Sequence, residues 1–94
     1  MALEFEWDPQ KAAANLAKHK VSFEEAATVF GDPLGRILAD LRHSSVEERA
    51  VLLGFSKERR LIAVMYVDRA EVIRIINARL ATHHERKNYE EIPQ

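Results

Sequence analysis

The chain has 94 residues, 47% apolar and 31% charged, a balance that suits a folded core and excludes a disordered chain. Without cysteine it can form neither a disulfide nor a thiolate metal site. A net charge of −1 argues against a protein that coats nucleic acid without selectivity.

The length predicts one domain, 1–94, burying roughly 60–65% of the unfolded chain's surface. Residues Met1 to Asp8 carry no basic stretch followed by an apolar one, so no signal peptide is expected. The longest apolar run, Leu61 to Val67, falls far short of the ~20 residues that span a bilayer. A cytoplasmic protein with no membrane partner is expected.

Asp8-Pro9 predicts a helix start, with Asp8 capping and Pro9 at the first helical position. That helix runs to about Lys18, and Ala12, Ala13, Leu16 and Ala17 are its expected apolar face. Ser22 and Glu25 have capping-box spacing for a second helix, where Phe23, Ala26, Ala27 and Phe30 form a helical stripe. Gly31-Asp32-Pro33 ends it.

Four strand candidates follow: 36–42, 49–55, 60–67 and 72–79. The third is apolar on both faces, which predicts a central strand. Short connections favour an antiparallel meander. Thr82 and Glu85 have capping-box spacing again and open a polar last helix to about Ile92, anchored by Tyr89 and Ile92. So polar a helix docks loosely or belongs partly to an interface. The expected class is α+β: two N-terminal helices, a four-stranded, mainly antiparallel sheet and a C-terminal helix. Trp7, Leu16, Phe23, Phe30, Leu53, Ile62, Val64, Ile73 and Ile75 are the expected core.

Charge is unevenly spread. Residues 1–32 sum to −3 and residues 57–94 to +2, which allows a local positive site in the second half. None of the histidines, His19, His43, His83 and His84, has metal-ligand spacing, so neither a metal nor another cofactor is expected. The three glycines, at 31, 35 and 54, make no phosphate-binding loop, and no nucleophile elbow exists.

What remains is arginine chemistry. Val72 to Arg79 sets Arg74 and Arg79 into an otherwise apolar, strand-like run. A guanidinium there is either paired internally or aimed at an anion, and its planar fork suits a phosphate. RNA cleavage by the 2′-hydroxyl needs a base, cations facing the pentavalent phosphate, and an acid for the leaving oxygen. Lys18, His19, Glu47, Glu48, Arg49, Arg74, Arg79 and Arg86 are the available groups. For each arginine the competing role is a structural ion pair with a glutamate. Arg74 and Arg79 are five positions apart and face opposite sides of an ideal strand. They share a site only if the strand twists, bulges or ends near Arg79.

Taken together, several segments resemble the BrnT toxin family. They are Phe5-Glu6-Trp7-Asp8, Lys11, Asn15, Lys18-His19, Val21 to Ala26, Phe30, Glu48-Arg49, Gly54, Arg74-Ile75-Ile76, Ala78-Arg79, Ala81-Thr82, Glu85-Arg86 and Tyr89. Lys20 stands where that family commonly has Gly, and Asn77 where it commonly has Ser. The resemblance implies a type II toxin with a RelE-like ribonuclease fold that inhibits translation by cleaving RNA. It implies neutralisation by a BrnA-like antitoxin, with operator DNA bound only through the toxin–antitoxin complex. On that basis Lys18, His19, Glu48, Arg49, Arg74 and Arg79 are the catalytic candidates, and Arg86 a substrate-binding one. The alternative is a non-catalytic subunit that holds an antitoxin or another protein in a repressor complex, with the arginines as interface anchors. The net charge disfavours a direct DNA-binding module.

Overall fold

The computed structural model describes residues 3–38 and 49–91. In chain order these form β1 (Glu4–Glu6), α1 (Pro9–His19), α2 (Phe23–Thr28), a 3-10 turn (Val29–Gly31), β2 (Arg36–Ile37), β3 (Ala50–Phe55), β4 (Leu61–Asp68), β5 (Val72–Leu80) and α3 (His83–Glu90).

The strands make one sheet in the order β1-β5-β4-β3-β2. All neighbours are antiparallel except β1, which runs parallel to β5. The α+β class is the expected one, with one more strand than expected. The extra strand is three residues long and exists only through its pairing with Val72, Ile73 and Arg74. Of the candidate at 36–42, Arg36 and Ile37 are strand, and residues 39–48, Glu47 and Glu48 among them, lie outside the described residues.

The helix starts follow their local chemistry. Asp8 accepts the Gln10 N–H at 2.9 Å, and Ser22 accepts the Glu25 N–H at 2.9 Å. At α3 the Thr82–Glu85 box closes in both directions, at 2.9 and 3.1 Å. The box at α2 does not close, because the Glu25 carboxylate turns away to Arg60 and Ser56. The 57–59 turn is a hairpin loop with Arg59 at φ 66°, its N–H bonded to the Ser56 carbonyl.

The sheet carries a core on each face. On one side Val21, Phe23, Ala26 and Val29 pack over Leu52, Ile62, Val64, Tyr66, Ile73, Ile75 and Ala78. On the other, Tyr89 of α3 covers Leu53, Leu61 and Ala63. β4 is central and largely buried on both faces, as its apolar run predicted. Trp7 and Phe30 are half-buried and join the first core edge-on, Trp7 against Phe23 and Phe30 against Tyr66.

Leu16 departs from expectation: it is 49% exposed, and Ala13 and Ala17 are exposed too. α1 buries Asn15 instead, at 5% exposure. The reason lies on β5. Beyond Arg74 its outer edge loses β1, and Asn15 takes over part of the missing strand's bonding. Its amide donates to the carbonyls of Ala78 (2.8 Å) and Val21 (2.9 Å), and its oxygen accepts the Ala78 N–H (3.1 Å). A carboxamide presents the same donor and acceptor as a peptide group. The requirement at this helix face is therefore polar.

Candidate functional site

β5 does not keep strict alternation. Ile75 pairs with Tyr66 and Asn77 with Met65, so Ile76 is an extra residue and the strand bulges there. Before the bulge Ile73 and Ile75 face the helix-covered core, and after it Ala78 does. The bulge therefore cancels the odd spacing of Arg74 and Arg79. Arg74 lies opposite Val67 and Arg79 opposite Ala63, on the face of the sheet that α3 partly covers. Arg49, one residue before Ala50, falls on this face by alternation with Val51.

Between the two arginines, Met65, Ile76 and Asn77 border a cleft of about 400 Å³ whose other wall is α1. Lys11, Ala14, Asn15, Lys18 and His19 form that wall. Lys11 and Lys18 are seven positions apart, two helical turns, and so share a helix face. Among the described residues, no ion pair or side-chain hydrogen bond engages Lys11, Lys18, His19 or Asn77. The same holds for Arg49. These groups are available to a ligand, whereas Asn15 is spent on backbone.

The two β5 arginines are not available in the same way. Arg74 bonds Glu6 at 3.1 Å, beside Arg69, which reaches the same carboxylate at 3.3 Å. Arg79 forks onto both oxygens of Glu85, at 2.8 and 2.9 Å. The Arg79 bonds hold the Glu85 carboxyl down at about 2, with the Thr82 N–H helping against the opposing effect of burial. Arg79 therefore clamps the start of α3 to β5. Arg86 is exposed on α3, 3.9 Å from Glu90, with nothing placing it against the cleft. Glu48 lies outside the described residues. The candidates thus divide: Lys18 and His19 in the cleft, Arg49 and Arg74 on the adjoining sheet face, Arg79 in a structural clamp.

Two further polar groups hold the frame. Arg60 bonds Glu25, the Nε contact measuring 2.8 Å, and also reaches the Lys20 carbonyl. These bonds, aided by Ser56, hold the Glu25 carboxyl below its usual range against burial. Asp32 accepts from the Phe55 N–H (2.8 Å), the Leu34 N–H (2.9 Å) and the Tyr89 hydroxyl (2.7 Å). Burial pushes Asp32 up, and these donors outweigh it. Burial and the Asp32 charge push the Tyr89 phenol up to about 12. Among the described residues no three His, Asp or Glu side chains come together as a metal site, and no helix is long and apolar enough to cross a membrane.

Sequence reasoning about chemistry passed over Lys11 and Asn77. The seven-residue spacing of Lys11 and Lys18 was a usable signal. Asn77 had none, because only the bulge turns it toward the cleft.

A family model described as the ribonuclease toxin BrnT of type II toxin-antitoxin systems matches residues 7–85. Among solved structures the chain is similar to the Brucella abortus ribonuclease toxin BrnT, known from a 1.1 Å crystal structure. The two share 19% identity over 87% of this chain and 100% of that one, with a TM-score of 0.65. Comparison with curated proteins returns no match.

Proposed function

Since this chain belongs to the BrnT family of ribonuclease toxins of type II toxin-antitoxin systems, we propose that it is an endoribonuclease that cuts RNA at the cleft between α1 and β5. The observation that carries this is the gathering of Lys11, Lys18 and His19, none engaged among the described residues, against the bulge of β5. Residues 1–94 act as one toxin domain in this reading.

The chemistry needs no metal. The 2′-hydroxyl attacks the adjacent phosphorus, the bond to the 5′-oxygen breaks, and the products are a 2′,3′-cyclic phosphate and a 5′-hydroxyl. An imidazole can take the attacking proton or give one to the leaving oxygen, and His19 is the group placed for it. The ammonium groups of Lys18 and Lys11 meet the charge that grows on the phosphoryl oxygens. Arg49 and Arg74 extend the positive surface along the strand face for the RNA backbone.

Cleavage of messages stops translation, in the RelE-like manner, and the cytoplasm is the compartment where this chemistry matters. A BrnA-like antitoxin neutralises the protein, and the pair rather than the toxin alone binds operator DNA. The test is growth after induction with and without the neighbouring small gene, together with RNA cleavage by purified protein in EDTA. Lys18→Ala and His19→Ala, each shown folded by its melt, are expected to lose about 10²–10³ in rate. Wild-type rates in both variants would reject the cleft as the site. A wild type that neither arrests growth nor cuts RNA leaves the antitoxin-holding subunit as the function.

A further inference from the structure

The cleft holds more than a phosphate grip. We propose that Asn77 is a base-reading residue: its side chain pairs with the edge of one nucleotide of the RNA, and adenine is the base it fits best. This rests on the proposed ribonuclease reading and extends it from where the cut is made to which sequence is cut.

Three observations lead there. First, Asn77 is where the strand breaks its own rule. The bulge sets Ile76 and Asn77 together opposite Met65, and bulges re-aim side chains next to active sites. Second, its carboxamide lines the cleft yet has no hydrogen-bond partner among the described residues, unlike Asn15 on the α1 wall. Third, its surroundings divide by chemistry. Met65, Ile76 and Ala14 offer an apolar wall to the face of a base, while Lys11 and Lys18 suit the phosphate attached to it. A volume of about 400 Å³ falls within the usual range of ligand pockets, about 300–1,000 Å³.

The choice of adenine follows from the carboxamide. Asn presents a donor beside an acceptor. Bidentate pairing therefore needs a base edge with the complementary pair side by side. Adenine offers it on two edges: N6–H with N7, and N6–H with N1. On the first of these edges guanine shows two acceptors, N7 and O6, and the pyrimidines have no ring acceptor, whereas on the Watson–Crick edge every base sets a donor beside an acceptor. Adenine is thus the one base that a carboxamide matches on its N7 edge as well as on its Watson–Crick edge.

The experiment separates binding from cutting. The folded protein is titrated with the 3′-monophosphates of adenosine, guanosine, cytidine and uridine, following amide NMR shifts at the cleft. Adenosine monophosphate is expected to bind at least about fivefold tighter than the others, the lower end of what a bidentate pair discriminates. Asn77→Ala and Asn77→Ser are expected to bring all four to a common, weaker affinity with an unchanged melting curve. Cut-site mapping on a mixed RNA should show adenine enriched beside the cut for wild type and the enrichment lost in both variants. Equal binding of the four nucleotides by wild type overturns the assignment, as does a preference that survives both substitutions. Adenine-selective binding by a wild type that cuts no RNA would keep Asn77 as a base reader and reject the ribonuclease reading instead.

Discussion

Replacing Asn15 with alanine tests the least intuitive feature of the core. The residue sits on α1 at 5% exposure, and its side chain makes three bonds of 2.8–3.1 Å to the backbone of Val21 and Ala78. A typical hydrogen bond contributes about 0.5–1.5 kcal/mol net, and a buried group left without a partner costs about 1–3 kcal/mol. Alanine removes one partner of each bond and leaves two carbonyls and an N–H behind. We expect a loss of about 3–4 kcal/mol, a large share of the ~5–15 kcal/mol available to a small domain. In a domain this size that lowers Tm by at least about 12 °C. The control is the next residue: Leu16→Ala, at 49% exposure, should change stability by about 0.5 kcal/mol or less. Urea titration of both variants against wild type gives the comparison directly. A loss below about 1 kcal/mol for Asn15→Ala, or a larger one for Leu16→Ala, would refute the idea that a polar clamp rather than apolar packing seats α1. Because α1 carries Lys11, Lys18 and His19, the same variant should lose RNA cleavage at temperatures below its melt.

Four other outcomes are expected. Ile62→Ala, fully buried on the central strand β4, should cost about 2–5 kcal/mol by denaturant melt, and a cost under about 1 kcal/mol would contradict its placement. Lys20→Gly should stabilise the fold by about 0.5–1 kcal/mol, since Lys20 caps α1 at φ 61° and ψ 30°, where a side chain is strained; a lower Tm would show that the strain is not relieved. The Glu85 carboxyl is held at about 2 in the folded protein against an ordinary 4.5, so its contribution is full above about pH 4.5 and lost as pH falls toward 2. Glu85→Gln should flatten the stability curve in that window, and parallel curves for the two proteins would exclude the Arg79 clamp as its source. Arg79→Ala should lower the melting midpoint while Arg49→Ala leaves it in place and weakens RNA binding; the reverse pattern would exchange their roles.

Local chemistry in the sequence was enough for the parts of the fold that depend on neighbours in the chain. The caps at Asp8, Ser22 and Thr82 start their helices because the bonding partners lie two or three residues away. Leu61 to Val67 declares itself central by being apolar on both faces. The resemblance located Lys18 and His19, which the structure places in the cleft.

Other features depended on contacts between distant residues. β1 is a strand only because β5 accepts it nearly seventy residues later. Asn15 is buried because Ala78, 63 residues away, has edge groups to satisfy. The apolar pattern of α1 pointed at Leu16, and the one contrary sign was a poor helix former in the middle of an alanine-rich helix. The period of two set Arg74 and Arg79 apart, and a single inserted residue at the bulge brought them to one face. That Arg74 pairs with Glu6 while Arg79 clamps α3 through Glu85 was likewise beyond the sequence, since these glutamates become partners only when the sheet has formed. Burial and capping follow composition and short-range spacing. A site built on the register between strands needs the pairing itself, because one extra residue reverses every side chain beyond it.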